Sequence, residues 1–203
     1  MGRIRRQVTE SRVLALTYDD GPSSAVTPQL LDLLRSRNVR ATFFMLGCHA
    51  QQYPEIVDRV ISEGHEVGCH SYQHLNAWKV VPWRAVADIR AGYEGLSRWI
   101  QRDAIFRPPH GKMTLPTYWE LHRRGAPVWW WTLDSCDTTQ TLPAPNQVAD
   151  RLRRDNGGIV LMHDLDRGDH RRDFVLKATE ALLEVARQEF LKVITLSELG
   201  RSK

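Results

Sequence analysis

Apolar residues recur along the chain in two alternating rhythms. Short runs rich in β-branched and aromatic residues stand at Val13–Tyr18, Ala41–Leu46, Glu66–Cys69, Ile105–Arg107, Val128–Leu133, Ile159–Met162 and Val193–Leu196, and they predict seven strands. Stretches of helical length at Pro28–Arg37, Pro54–Glu63, Trp83–Ile100, Pro116–Arg124, Gln147–Arg154 and Asp173–Gln188 predict helices between them. Leu30, Leu31, Leu33 and Leu34 make an apolar stripe on the first helix, as do Ala178, Leu182, Val185 and Ala186 on the last. Several of these stretches open with Pro, whose missing N–H costs nothing in a first turn. Strands that alternate with helices run parallel and are joined by crossovers, so the pattern predicts an α/β fold. Periodicity alone does not choose between an open doubly wound sheet and a barrel. With no low-complexity segment and no long linker, residues 1–203 are expected to form one domain, with 1–10 as a flexible tail.

Composition narrows the class. A chain of 203 residues with 42% hydrophobic and 26% charged side chains can bury one sizeable core, which excludes a disordered or fibrous protein. The balance of 28 Lys+Arg against 24 Asp+Glu leaves +4, spread along the sequence rather than clustered, and no nucleic-acid partner is expected. The local cluster Arg3, Arg5 and Arg6 reads as part of the solvated tail. No stretch approaches the roughly eighteen apolar residues of a membrane span. Met1–Glu10 lacks the apolar core of a secretory signal, so the expectation is a cytoplasmic chain, secreted only if an upstream signal was removed. Cys48, Cys69 and Cys136 are odd in number and far apart, and they read as small buried hydrophobes rather than a disulfide framework.

The unusual polar residues follow directly after predicted strands. The first run ends in Thr17-Tyr18-Asp19-Asp20-Gly21-Pro22, the third leads into His70-Ser71-Tyr72-Gln73-His74, and the fourth into Arg107-Pro108-Pro109-His110-Gly111. The fifth leads into Asp134-Ser135-Cys136-Asp137 and the sixth into His163-Asp164. In parallel α/β folds these ends share one edge, where active sites are built. His70 and His74, at i and i+4, would project from one face of a helical turn and grip one metal ion. Alone, such a pair arises by chance, and Asp19-Asp20-Gly21-Pro22 alone is equally a turn. Together they supply two imidazoles and an oxygen ligand, with the second carboxylate free to act as a base. Arg107 can orient a carboxylate, and either Asp134 or Asp137 can orient His163 and keep it protonated as an acid.

These segments, from Leu14 to Leu199, resemble the polysaccharide deacetylase family, also described as the chitooligosaccharide deacetylase or NodB-homology domain. Thr17–Pro22 meets the pattern T-[FY]-D-D-G-P, His70–His74 meets H-[ST]-x-x-H, and Leu161 with His163 meets L-x-H. Arg107, Pro109 and Gly111 meet R-x-P-[YF]-G with His110 at the aromatic position. Asp134 and Asp137 meet D-x-x-D-W with Thr138 in place of Trp. The resemblance implies a distorted (β/α) barrel of about seven parallel strands and one divalent metal ion, usually zinc, with cobalt or nickel as alternatives. Carried over, Asp20, His70 and His74 are the metal ligands, Asp19 is the base, Arg107 holds Asp19, and Asp134 partners the acid His163. His110, Leu161 and Asp137 are assigned to substrate binding, with Leu161 receiving the acyl methyl group. Thr138 removes a large apolar wall, which bears on the substrate rather than the chemistry.

The implied activity is hydrolysis of an N-acetyl group from an amino sugar or an N-acetylglucosamine-containing oligo- or polysaccharide, with no protein partner. Alternatives within the superfamily are an O-acetyl ester, a formamido sugar on a lipid carrier or a cyclic amide, and outside it an inactive glycan-binding domain. Trp129, Trp130 and Trp131 read first as core residues. In the charged run Asp164–Asp173, Arg167, Arg171 and Arg172 read first as solvated, and otherwise as a contact for an anionic substrate group. The length leaves no room for a separate binding module, which favours a soluble or small substrate.

Overall fold

A computed structural model of the chain describes residues 4–5 and 12–201. Of the ten residues expected to form a tail, only Ile4–Arg5 fall within the described residues, as the two-residue strand β1. In chain order there follow β2 (Val13–Asp19), α1 (Thr27–Ser36), β3 (Thr42–Met45), α2 (Gly47–Gln52), α3 (Pro54–Ser62), β4 (Glu66–Cys69), α4 (Pro82–Gly95) and α5 (Leu115–Arg124). The chain continues with β5 (Val128–Trp129), β6 (Leu133–Asp134), α6 (Pro145–Asp155), β7 (Gly158–His163), α7 (Asp169–Gln188), β8 (Lys192–Val193) and α8 (Leu196–Arg201).

All described strand pairings are parallel, and the main sheet runs β4-β3-β2-β7-β6, with β8 beside the start of β2. Beyond β4 the path continues through single bridges, Cys69 to Phe106 and Phe106 to Val128, toward β5. Because β5 and β6 are two pieces of one run, the strands curve round as a distorted (β/α) barrel. Two expected strands are therefore corrected. Ile105–Arg107 contributes only a bridge at Phe106, since two prolines follow and end its pairing. Val128–Leu133 is interrupted at residues 130–132, where the Trp130 carbonyl accepts from the Arg107 guanidinium instead of a ladder partner. The final helix-forming run also starts earlier than expected, at Asp169.

The alternation of side chains along β2 places the chemistry. Leu14, Leu16 and Tyr18 face outward into the core shared with Leu30, Leu34 and Leu182 of the covering helices. Val13 and Ala15 belong to a second, interior cluster with Phe44, Trp129 and Ile159. Thr17 and Asp19 continue that interior row by the same period of two, and so do Leu161 and His163 after Ile159. The barrel interior is thus apolar at its base and becomes polar at the C-terminal ends of its strands.

Helix α4 closes on this end. Its Gly92 lies so near the loop after β4 that an added Cβ would stand 2.4 Å from the Ser71 carbonyl carbon. A Gly92→Ala substitution is expected to cost about 1–3 kcal/mol through this overpacking. Chemical denaturation of the variant against the parent protein checks it, and unchanged stability would show that the loop yields freely.

Candidate active site

Five loops at the C-terminal ends of the strands converge on a cleft of about 380 Å³. Asp19 is the last residue of β2 and Asp20 turns out of the strand with a positive φ of 73°. Both carboxylates are buried. The turn is fastened from β7: Asp164 N donates to Asp19 O, Ser23 Oγ donates to Asp164 O, and Thr27 Oγ1 donates to the Asp164 carboxylate at 2.7 Å. Burial pushes the Asp164 carboxyl up to about 7. That carboxylate sits where a side chain on Gly21 would have to lie, 2.1 Å from the position of a Cβ, so the residue after Asp20 must be glycine.

His70 and His74 do not lie on a helix, which corrects the expected geometry. Ser71 and His74 both take positive φ, 70° and 60°, so the segment is an irregular loop. It is held by Asp88 of α4, whose two carboxylate oxygens accept the backbone N–H groups of Gln73 and Leu75. The loop nonetheless brings the imidazoles together, with ring centroids 5.0 Å apart. The Asp20 Oδ1 atom stands 3.4 Å from His70 Nε2 and 3.2 Å from His74 Nε2, and it is buried without a hydrogen bond of good geometry. Asp20, His70 and His74 each offer one ligand atom within 4.8 Å of the others. A buried carboxylate oxygen facing two ring nitrogens suits a divalent cation, and among the described residues this is the one such cluster.

The protonation states agree with that fit. Burial, against the pull of Asp20, pushes His74 down to about 4, so its ring is a neutral donor. Although burial opposes ionisation of Asp20, the neighbouring His70 imidazole, with His163, holds its carboxyl well below the usual range. The Nδ1 of His70 lies 2.7 Å from the Arg107 carbonyl, and donating there leaves Nε2 bare toward Asp20. The outer oxygen of Asp20 accepts from Arg167 at 2.9 Å.

Arg107 reaches Asp19 as expected. Its Nη1 donates to Asp19 Oδ1 at 2.8 Å and to Thr17 Oγ1 at 2.7 Å, which leaves Asp19 Oδ2 toward His70, 3.7 Å from Nε2. Across the cleft, the partner expected of Asp134 is Asp137. Asp137 Oδ1 lies 2.8 Å from His163 Nδ1 while Oδ2 accepts the His163 backbone N–H at 2.7 Å. Asp134 lines the cleft but turns its Oδ1 back to cap the Cys136 N–H, where the chain makes a turn of positive φ. Asp137 accordingly orients the histidine rather than lining the cleft for substrate, which corrects that expectation too. Burial alone would lower His163, but the hydrogen bond and charge of Asp137, with Asp19 and Asp20, push it up to about 9.

The remaining walls are Leu161, His110, Trp131, Thr138 and Arg167. Trp129 is in the core as expected, whereas Trp131 faces the cleft and packs against Gly111, so an aromatic wall exists although position 138 is Thr. Of the three loop arginines, Arg171 donates to the carbonyls of Asp137 and Thr139 and Arg172 pairs with Asp169, so only Arg167 enters the cleft. The three cysteines are free, with Cys69 buried and the other two half-buried. No helix of the described residues is long and apolar enough to cross a membrane. Asp88 and Gly92 escaped sequence reasoning; the signal was an acid and a glycine in the apolar stripe Ala85, Asp88, Ile89, Gly92.

The polysaccharide deacetylase family profile matches residues 6–129. The chain is 34% identical to a peptidoglycan-N-acetylglucosamine deacetylase of Bacillus cereus over 196 residues, covering 95% of this chain and 90% of that protein. It is 29% identical over 195 residues to the peptidoglycan-N-acetylmuramic acid deacetylase PdaC of Bacillus subtilis, of which it covers 39%. The crystal structure of a peptidoglycan N-acetylglucosamine deacetylase in complex with 4-naphthalen-1-yl-N-oxidanyl-benzamide superposes with a TM-score of 0.83 at 27% identity, over 93% of this chain and 88% of that one.

Replacing His74 with alanine is expected to weaken zinc binding by more than about 100-fold, since disturbing even an outer hydrogen bond of a metal ligand costs 10–100-fold. Titration against a competing chelator measures this, and undiminished affinity would place the ion elsewhere.

Proposed function

The chain belongs to the polysaccharide deacetylase family and is a hydrolase of that class, and we propose that it removes the N-acetyl group from an amino sugar of a glycan polymer, with peptidoglycan as the substrate class. The observation that carries this reading is the pairing of the Asp20, His70 and His74 cluster with a held carboxylate, Asp19, on one side of a single cleft and a charged His163 on the other. The relatives named above act on N-acetylglucosamine and N-acetylmuramic acid of peptidoglycan, and one of them is nearly spanned by this chain. Short length is therefore no argument for a small soluble substrate, which replaces that expectation.

Asp20, His70 and His74 would hold one divalent ion, zinc by the hardness and nitrogen content of the donor set, with cobalt or nickel as alternatives. Such an ion supplies Lewis acidity, making water a nucleophile near neutral pH and polarising the acetamide carbonyl. Asp19 takes the proton of the attacking water, and Arg107 fixes which of its oxygens faces the cleft. The backbone N–H at His110 is assigned to the oxygen that gains negative charge, a role independent of the side chain. As the C–N bond breaks, the sugar nitrogen needs a proton because an amide anion is a poor leaving group. His163 gives that proton, and Asp137 holds its Nδ1 so that the other ring nitrogen faces the substrate. Leu161 forms the apolar seat of the acetyl methyl. Acetate and a free amino sugar are the products.

Acetate release from purified peptidoglycan and from N-acetylglucosamine oligomers tests this reading. Release that is lost on chelation and restored by zinc is expected, and release only from O-acetylated sugars would overturn it. A proton held by His163 below about pH 9 is lost above it. The kcat/KM is therefore expected to fall as pH rises through that region, and Asp137→Asn, which removes the charge that raises His163, should move the fall to lower pH. A pH profile whose alkaline side is the same in both proteins would exclude His163 as the acid.

A further inference from the structure

The loop that carries His74 runs on into a tryptophan that is exposed and yet fixed. Trp78 is 65% exposed. Its indole N–H donates to Met113 O at 3.0 Å, and the Lys112 ammonium lies 4.3 Å from the centroid of its ring. Asn76 pins the turn beneath it, accepting the Trp78 backbone N–H on its side chain and the Lys79 backbone N–H on its carbonyl. The ring is thus held in one orientation while most of its surface stays in solvent. The Lys112 ammonium stands over one face of the ring.

This ring is tied to the catalytic cleft by two segments of chain. The rings of His74 and His110 meet at 4.4 Å, and Trp78, four positions beyond His74, meets Lys112 and Met113, two and three positions beyond His110. The segments 74–79 and 110–113 thus form one rim, zipped at the cleft by the histidines and at its outer end by Trp78. Trp78 is four steps along the chain from His74, a reach of at most about 14 Å. Lys79 follows Trp78 directly in the turn that Asn76 closes, its backbone N–H donating to the Asn76 carbonyl at 2.9 Å.

We propose that Trp78, flanked by Lys112 and Lys79, is an outer saccharide subsite, on which a neighbouring sugar of the same glycan chain stacks while another sugar is deacetylated in the cleft. The flat, pre-oriented indole fits the apolar C–H face of a pyranose. The two ammonium groups fit a chain that carries acidic substituents, as peptidoglycan does through its lactyl and peptide carboxylates. The inference rests on the glycan reading above and extends it: the enzyme selects for chain length, not only for the reacting sugar.

The test compares kcat/KM on N-acetylglucosamine dimer and hexamer for the parent protein, Trp78→Ala and Trp78→Phe, with thermal unfolding as a check of the fold. Trp78→Ala is expected to reduce the hexamer-to-dimer ratio about tenfold, the scale of one lost stacking contact, and Trp78→Phe to retain most of it. An unchanged ratio, or an equal loss at both lengths, overturns the subsite. Hexamer binding measured calorimetrically in an Asp19→Asn background, with and without Trp78→Ala, decides the matter independently of turnover. Weaker binding on removal of the indole supports the subsite even if the parent releases no acetate, an outcome that would fall on the activity alone. Equal binding overturns it.

Discussion

Arg107 places a guanidinium with no exposed surface where three segments of chain meet. Its Nη1 bonds Thr17 and Asp19 of β2, its Nη2 bonds the Trp130 carbonyl in the break between β5 and β6, and its Cζ lies 4.3 Å from the centre of the Phe44 ring. Burial lowers its proton affinity and Asp19 restores part of it, but a guanidinium stays charged at any pH a protein tolerates. A permanent charge without water must be paired, and leaving it or Asp19 alone would cost about 3–5 kcal/mol. The barrel therefore cannot form without setting the orientation of Asp19. The same residue also reaches His70 through its backbone, since the Arg107 carbonyl stands 2.7 Å from the His70 Nδ1.

Around this pair the cleft separates its charges by environment. Asp20 is kept ionised beside imidazoles, His74 is kept neutral by burial, and His163 is kept charged by Asp137. Two histidines about the same cleft thus hold opposite protonation states. Their partners differ: His163 has a carboxylate within hydrogen-bond reach on Nδ1, whereas His74 shares Asp20 with His70 and Arg167. A carboxylate held by a guanidinium, a neutral imidazole and a charged imidazole thus coexist in one cleft.

The loops that carry these groups are irregular, and each is fastened by a buried acid that takes no direct part. Asp88 accepts two N–H groups of the histidine loop, and Asp164 ties the turn after Asp19 to β7. Close backbone approach does the rest, as Gly92 lets α4 reach Ser71 and Gly21 leaves space for the Asp164 carboxylate. The geometry of the Asp20, His70 and His74 cluster is thus lodged in helices and strands, with the loops held against them.

The alternation of strands and helices, the edge on which the chemistry gathers and the identity of nearly every cleft residue were legible in the amino-acid sequence. Each follows from a short-range property: a period of two or of 3.6, or a polar residue directly after an apolar run. The family resemblance added the roles of Asp19, Asp20, His70 and His74. Tertiary structure alone decided which of Asp134 and Asp137 meets His163, because both follow the same strand and a turn at Cys136 sends one inward and the other onto its own backbone. It alone showed that the histidine pair is built without a helix, since spacing in sequence does not specify φ. It also graded the tryptophans along one interior row, burying Trp129 in the interior cluster while Trp131, packed on the same cluster, lines the cleft above it. Local order is written in neighbouring residues, whereas the partner of a charge depends on segments that folding brings together from distant parts of the chain.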